Sequence, residues 1–255
     1  MATVDNAASD KSFKDHFSGH SSSYAEYRPT YPDALFAFLA DCCTGHSLAW
    51  DCATGSGQAA LALSEYFDRV IATDASEAQI REAESKAGIE YRVARAEASG
   101  LDDDSIELIT VGQALHWFDI PAFLDESQRV LVEGGVLAVW SYERCAIEPA
   151  CDALINELYL DAVGPYWPAE RAFVEGGYRS IELPMPSISA PEFSMKKQWA
   201  VEEMLGYLRT WSASQRYMKA NGSDPVVLIQ ERLSRAWGEG RREVSWPLSI
   251  KIGRA

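Results

Sequence analysis

The chain has 255 residues, 47% hydrophobic and 24% charged, which supplies apolar material for one large domain or a core domain carrying an insertion and excludes a disordered chain. Lys and Arg number 23 against 38 Asp and Glu, and the formal charge of -15 argues against a broad phosphate-binding face, so no nucleic-acid partner is expected. No run approaches the roughly 18 apolar residues of a membrane span. The polar opening segment has no apolar core, and Cys42, Cys43, Cys52, Cys145 and Cys151 lack CxxC spacing. Reduced thiols, a cytoplasmic location, no membrane partner and no metal are the expectation.

Strands and helices alternate over the first 142 residues. Pro32 ahead of Leu35, Phe36 and Leu39 predicts a helix opened by proline, and Ser47 to Asp51 predicts a short buried strand. Gln58 to Phe67 predicts a second helix and Val70 to Thr73 a second strand, with Ser76 and Gln79 forming a capping box for a third helix. Tyr91 to Ala94 and Ile106 to Val111 read as strands. Pro121 to Val132 reads as a helix closed by Gly134 and Gly135, and Val136 to Trp140 as the fifth strand. This alternation implies an α/β fold whose parallel sheet is covered on both faces.

Beyond residue 142 the pattern changes. Glu148 to Tyr178 is aromatic and irregular, with a helical stretch around Leu154 to Leu160, and reads as an inserted segment. A strand follows at Phe193 to Trp199. Val201, Met204, Leu205 and Leu208 share a helical face, and Asp224-Pro225 opens a helix bearing Val226, Ile229 and Leu233. Alternation at Val244, Trp246, Leu248, Ile250 and Ile252 predicts a final half-buried strand. The expected organisation is an arm over 1–32, a core over 33–142, an inserted cover over 143–192, and late helices with the last two strands over 193–255.

The sharpest chemistry lies in Asp51-Cys52-Ala53-Thr54-Gly55-Ser56-Gly57-Gln58, where a strand gives way to a helix. Glycines let backbone approach a ligand closely, and the helix start offers free N–H groups. Asp74, seventeen positions after Gly57, ends the second strand, where a carboxylate can accept both ribose hydroxyl hydrogens. An ordinary βα turn with a solvated aspartate is the plainer alternative. Gly55, Gly57 and Ala60 also loosely fit the dinucleotide fingerprint, which keeps an NAD-dependent oxidoreductase in view. Asp51 beside the loop suits the ammonium of a methionine moiety better than a pyrophosphate, and Gly112 to Asp119 holds no obvious hydride-transfer set.

The glycine loop DCATGSGQ, the ATDAS strand end, ARAEASGL, QALHWFD and VEGGVLAVW together resemble the ordered motifs of class I S-adenosylmethionine-dependent methyltransferases. SSSYAEYRPTYP, GPYWPAER and YLRTWSASQRY are similar to the branch containing trans-aconitate methyltransferases of the fungal type. The resemblance implies a Rossmann-like, doubly wound, seven-stranded sheet with a helical insertion over the active site, S-adenosylmethionine as cofactor, and methyl transfer to a small molecule. A cofactor-binding module without catalysis is the alternative. One departure stands out: the family's loop usually begins D-x-G, whereas this chain has Ala53, and a slightly shifted loop with retained binding is expected.

On this resemblance, Asp51, Ala53, Thr54, Gly55, Gly57 and Gln58 hold the methionine part of the cofactor, Asp74 and Ala75 the ribose, and Ala96 and Glu97 the adenine. Gln113 and Ala114 flank the methyl path. His116 is the candidate catalytic residue, read as a substrate-orienting donor, a general base or a packed polar group, with Trp117 walling the cleft. A carboxylate acceptor needs no base. Tyr24 and Arg28 read as a lid meeting the cofactor carboxylate, or as a surface arm pinned by aromatics. Tyr166, Trp167, Arg209, Trp211, Arg216 and Tyr217 form an aromatic and basic group for an anionic or aromatic acceptor, with part of it expected in the core.

Overall fold

The computed structural model describes residue 27 and residues 29–255. Seven strands form one sheet: β1 (Leu48–Cys52), β2 (Arg69–Asp74), β3 (Ile89–Val93), β4 (Ile106–Gly112), β5 (Leu131–Tyr142), β6 (Ser194–Trp199) and β7 (Arg242–Arg254). They lie in the order β3-β2-β1-β4-β5-β7-β6, with β7 antiparallel to both of its neighbours and the remaining pairs parallel. The chain runs outward from β1 in one direction and then returns to run outward in the other. That reversal between β1 and β4 opens a crevice at their C-terminal ends, where α/β sheets bind ligands.

Side chains alternate across the sheet as its strand period requires. Ala49, Val70, Ala72, Leu108, Val136 and Trp140 face helices α1 (Asp33–Asp41) and α2 (Gln58–Leu63), meeting Leu35, Phe36, Leu39 and Leu63. Trp50, Ile71, Ile109, Leu137 and Val139 face the other way, onto Leu115, Phe123 and Val130, the last two from α4 (Ile120–Val130). The short α3 (Glu77–Glu82) begins where the Ser76 hydroxyl accepts the Gln79 N–H at 3.5 Å.

Two expected boundaries move. Helix α2 stops at Leu63, because Ser64 turns its hydroxyl onto the Leu61 carbonyl and residues 64–66 become turns. Gly134 and Gly135 do not close α4, which ends at Val130 with the chain already extended at Leu131. Both glycines lie inside β5, where its pairing with β4 jumps between Leu131 and Val136. Gly134 takes φ 77° in that irregularity.

The remaining elements cover the C-terminal end of the sheet. They are α5 (Pro149–Glu157), a π turn (Leu158–Ala162), a 3-10 turn (Gly164–Tyr166), α6 (Arg171–Glu175), α7 (Val201–Arg209), α8 (Ser212–Asn221) and α9 (Val227–Trp237). Their shared core is aromatic: Tyr159, Trp199, Tyr207, Trp211, Trp237 and Trp246. Helix α7 ends ahead of Thr210, whose hydroxyl donates to the Tyr207 carbonyl at 2.6 Å, and Trp211 becomes the residue preceding α8. All five cysteines are free. No helix among the described residues is long and apolar enough to cross a membrane.

Candidate active site

The loop after β1 turns through three left-handed residues, Ala53 at φ 55°, Gly55 at φ 57° and Gly57 at φ 88°. Gly57 takes a φ that favours glycine, and a Cβ there would also have to displace the Tyr91 hydroxyl. Ala53 keeps the glycine-type conformation and absorbs the departure from the family pattern as local strain of roughly 1–2 kcal/mol. Asp51, 1% exposed, sits beneath this loop. One carboxylate oxygen accepts the Thr54 hydroxyl at 2.5 Å and the other the Thr110 hydroxyl at 2.8 Å. Burial pushes its carboxyl up to about 6, against the lowering effect of those hydrogen bonds.

Asp74 ends β2, and its two oxygens accept the N–H of Gly55 at 2.9 Å and of Ser76 at 2.8 Å. The acid therefore fixes the glycine loop to the start of α3. Ala75, beside it, is partly buried. Ala96 is 7% exposed behind β3, while the Glu97 carboxylate accepts the Asp119 N–H at 2.8 Å and pairs with Arg95 at 3.3 Å. Glu97 thus ties the turn after β3 to the loop before α4.

At the end of β4, Gln113 is held at φ 59° and donates its amide to the Tyr142 carbonyl at 3.1 Å. Its Oε1, with Trp140 Nε1 and Ser141 Oγ, is buried with no hydrogen-bond partner among the described residues. Trp140 and Ser141, consecutive on β5, face opposite sides of the sheet, so these are separate orphaned groups. Ala114, 8% exposed, precedes the 3-10 turn Leu115–Trp117. His116 and Trp117 rings lie 4.6 Å apart, and His116 Nδ1 is 2.8 Å from the Tyr178 hydroxyl. Burial, then the charge of Arg171, lowers the His116 imidazole to about 4.

Tyr24 and Arg28 lie outside the described residues. The adjoining segment is placed: Gln58 Nε2 donates to the Pro29 carbonyl at 3.3 Å, and Tyr31 meets Trp140 edge to face at 5.3 Å. Gln58 therefore braces the arm against α2.

The cover brings some of the expected acceptor residues together and disperses others. Tyr166 and Tyr217 pack at 5.1 Å, and Trp167 packs on Tyr159 at 4.7 Å and Trp211 at 5.8 Å. Trp211 is a core residue, 9% exposed. Arg209 turns to Asp224 at 2.6 Å and Gln230 at 3.0 Å, a local acid taking the charge. Among the described residues, Arg216 reaches only the Tyr166 carbonyl, at 3.4 Å.

Arg171, which the sequence reading passes over, is the better placed arginine. Its Nε donates to the Tyr159 hydroxyl at 2.9 Å and its guanidinium lies over the Trp167 ring at 4.8 Å. No carboxylate pairs with it among the described residues. It borders a cavity of about 270 Å³ lined also by Tyr159, Trp167 and Glu175. The only sequence signal was its place at the end of GPYWPAER.

The fold has a crevice at a topological switch point, lined by a glycine-bearing loop and a strand-end acid, the arrangement in which α/β proteins bind nucleoside-bearing cofactors. A methyltransferase domain model matches residues 50–139. A Dictyostelium discoideum protein named as a methyltransferase is 37% identical over 229 residues, covering 88% of this chain and 87% of that one. A solved structure from Anaeromyxobacter dehalogenans, described as a type II methyltransferase, is 41% identical with a TM-score of 0.84, covering 89% of this chain and 97% of its own. A Saccharomyces cerevisiae protein named for S-adenosylmethionine-dependent methyl transfer is 26% identical over 245 residues, with 81% and 84% covered. The chain belongs to the class I S-adenosylmethionine-dependent methyltransferases. It is a Rossmann-like methyltransferase that uses S-adenosylmethionine.

Proposed function

We propose that the acceptor is a small carboxylic acid, converted to its methyl ester in the cytoplasm, and that the enzyme stands near the trans-aconitate branch of the family. The observation that carries this reading is the contrast among three arginines. In a chain of net charge -15, Arg209 is neutralised by Asp224, whereas Arg171 and Arg216 stand in the aromatic cover without a carboxylate partner among the described residues. Arg171 lies over the Trp167 ring and, among the described residues, bonds only through Nε to Tyr159, whose hydroxyl in turn donates to Glu175, so its terminal nitrogens form a preorganised fork for a planar oxyanion. SSSYAEYRPTYP, GPYWPAER and YLRTWSASQRY support the branch.

The residues fit the cofactor. Asp74 is positioned to take the ribose hydroxyls, the left-handed loop from Ala53 to Gly57 presents backbone to the methionine part, and the buried charge of Asp51 favours its ammonium. Ala96 and Glu97 flank the adenine, and Gln113 and Ala114 the methyl path. Bound S-adenosylmethionine supplies an electrophilic methyl group on a sulfonium that becomes a neutral thioether on transfer. Arg171 and Arg216 orient the acid, Trp117 and Trp167 exclude water, and Tyr166 with Tyr217 closes the far wall. A carboxylate has no proton to lose at neutral pH, so alignment carries the rate.

The test is methyl transfer from radiolabelled S-adenosylmethionine to matched panels of carboxylic acids, phenols and amines. Label entering base-labile esters of acids supports the reading; label confined to amines or phenols overturns it.

A further inference from the structure

We infer that Tyr159 is a positioning residue that stands between Arg171 and Glu175, keeps them from forming an ion pair, and so leaves the Arg171 guanidinium open to the acceptor. The inference deepens the carboxylate reading and rests on it for the identity of the ligand.

Arg171 and Glu175 open and close α6, four positions apart, which puts them on one face of the helix. Opposite charges at that spacing ordinarily meet. Here the Tyr159 hydroxyl lies between them, 2.9 Å from Arg171 Nε and 2.5 Å from Glu175 Oε1. A guanidinium only donates and a carboxylate only accepts, so the hydroxyl accepts from Arg171 and donates to Glu175. The chemistry of the partners leaves no other direction. Tyr159 is 2% exposed, and burial pushes its phenol up to about 12, so the hydrogen given to Glu175 stays on the oxygen.

The local backbone holds Tyr159 in this place. Leu158–Ala162 is a π turn, in which the Val163 N–H returns five residues to the Leu158 carbonyl, at 2.9 Å. An α-helical register would pair that N–H with Tyr159 instead. The Tyr159 carbonyl is left to accept the Trp167 indole N–H at 3.2 Å, which seats the Trp167 ring 4.7 Å from the Tyr159 ring. The Arg171 guanidinium lies over both rings, 4.8 Å from the centre of Trp167 and 5.7 Å from that of Tyr159. Tyr159 thus holds the arginine twice, by its hydroxyl and through Trp167. Glu175 borders the same cavity as Arg171, so without the hydroxyl it becomes an internal competitor for the guanidinium fork.

The experiment uses the full chain with ¹⁵N-labelled arginine and S-adenosylhomocysteine bound, titrated with sodium acetate as the oxyanion probe. The Arg171 Nε–H signal, assigned by its loss in Arg171→Lys, should shift with acetate in the unaltered protein. Tyr159→Phe keeps the ring and loses only the hydroxyl, and it should weaken acetate binding about tenfold as Glu175 closes on Arg171. Adding Glu175→Gln to Tyr159→Phe should restore most of that affinity, which a loss of packing would not allow. The Michaelis constant for any acid methylated in the panel should follow the same order, with that for S-adenosylmethionine unchanged. Retention of the cofactor-induced thermal shift shows that the variants fold. No acetate shift at Arg171 in the unaltered protein, undiminished affinity in Tyr159→Phe, or a loss that persists in the double variant each overturns the inference. Acetate binding requires no methyl transfer, so a negative acid panel would remove the carboxylate reading and leave this result standing.

Discussion

The ring of Tyr27 lies against Gly206 so closely that a Cβ on that glycine would stand 2.8 to 3.0 Å from three of its carbons. Gly206 interrupts α7, where alanine is favoured by about 1 kcal/mol, so the helix gives up propensity to seat an aromatic ring from the N-terminal arm. The same segment touches Gln58 through Pro29 and Trp140 through Tyr31, and so spans from cover to glycine loop. We expect this strap to close over bound cofactor. S-adenosylhomocysteine should slow hydrogen exchange across residues 16–32 of the unaltered protein, and Gly206→Ala should abolish the slowing while preserving helix content. Unchanged exchange in the unaltered protein would remove the lid.

Asp74 is expected to bind the ribose. S-adenosylhomocysteine should raise the melting temperature by ligand linkage, and NAD should not. Asp74→Asn keeps the shape but replaces one acceptor by an amide that opposes the N–H of Gly55 or Ser76. Cofactor affinity should fall by about ten- to a hundredfold, corresponding to roughly 1.5–3 kcal/mol for charged hydrogen bonds. A thermal shift equal to that of the unaltered protein would assign Asp74 to loop structure alone.

The arginines separate structure from recognition. Arg209 and Asp224 form a partly exposed pair, and Arg209→Ala should cost at most about 1 kcal/mol of stability without changing either Michaelis constant. Arg171→Gln and Arg216→Gln should each raise the Michaelis constant for an acid acceptor by about ten- to a hundredfold and leave that for S-adenosylmethionine unchanged. Equal effects on both constants would mean that these arginines support the cover as a whole.

The sheet was legible because buried parallel strands are short apolar runs between turn residues, as in Val70 to Thr73, and the glycine loop because its φ values demand particular residues. Gly134 and Gly135 misled because a glycine pair signals a helix end and a strand irregularity equally well. The break at Thr210 was hidden: helical spacing places Tyr207 and Trp211 on one face whether or not the helix continues. Charge pairing was the least legible. Nothing in the spacing says that Arg209 meets Asp224 across the α8 segment while Arg171 meets Tyr159 and Trp167.

Asp51 makes the last prediction one of pH. Burial holds its carboxyl at about 6, above the unfolded value of about 3.9, so the folded apoenzyme carries an extra proton between those limits. The sign follows: the stability this proton contributes is complete below about 4 and is lost as pH rises through about 6. His116 acts oppositely. With its folded value at about 4 against about 6.5 unfolded, its contribution is present above 6.5 and lost as pH falls toward 4. Stability is therefore a poor reporter of either group alone, and cofactor binding is a better one. If the Asp51 charge favours the methionine ammonium, binding selects the ionised carboxylate. At pH 6, where the apoenzyme is about half protonated, S-adenosylhomocysteine should release about half a proton per molecule bound. Its affinity should weaken toward tenfold per pH unit below that. Calorimetry in buffers of different ionisation enthalpy measures the release, and Asp51→Asn, which has nothing to ionise, should bind more weakly with no proton release at pH 6. Binding without proton release in the unaltered protein would leave Asp51 as the anchor of Thr54 and Thr110 and nothing more.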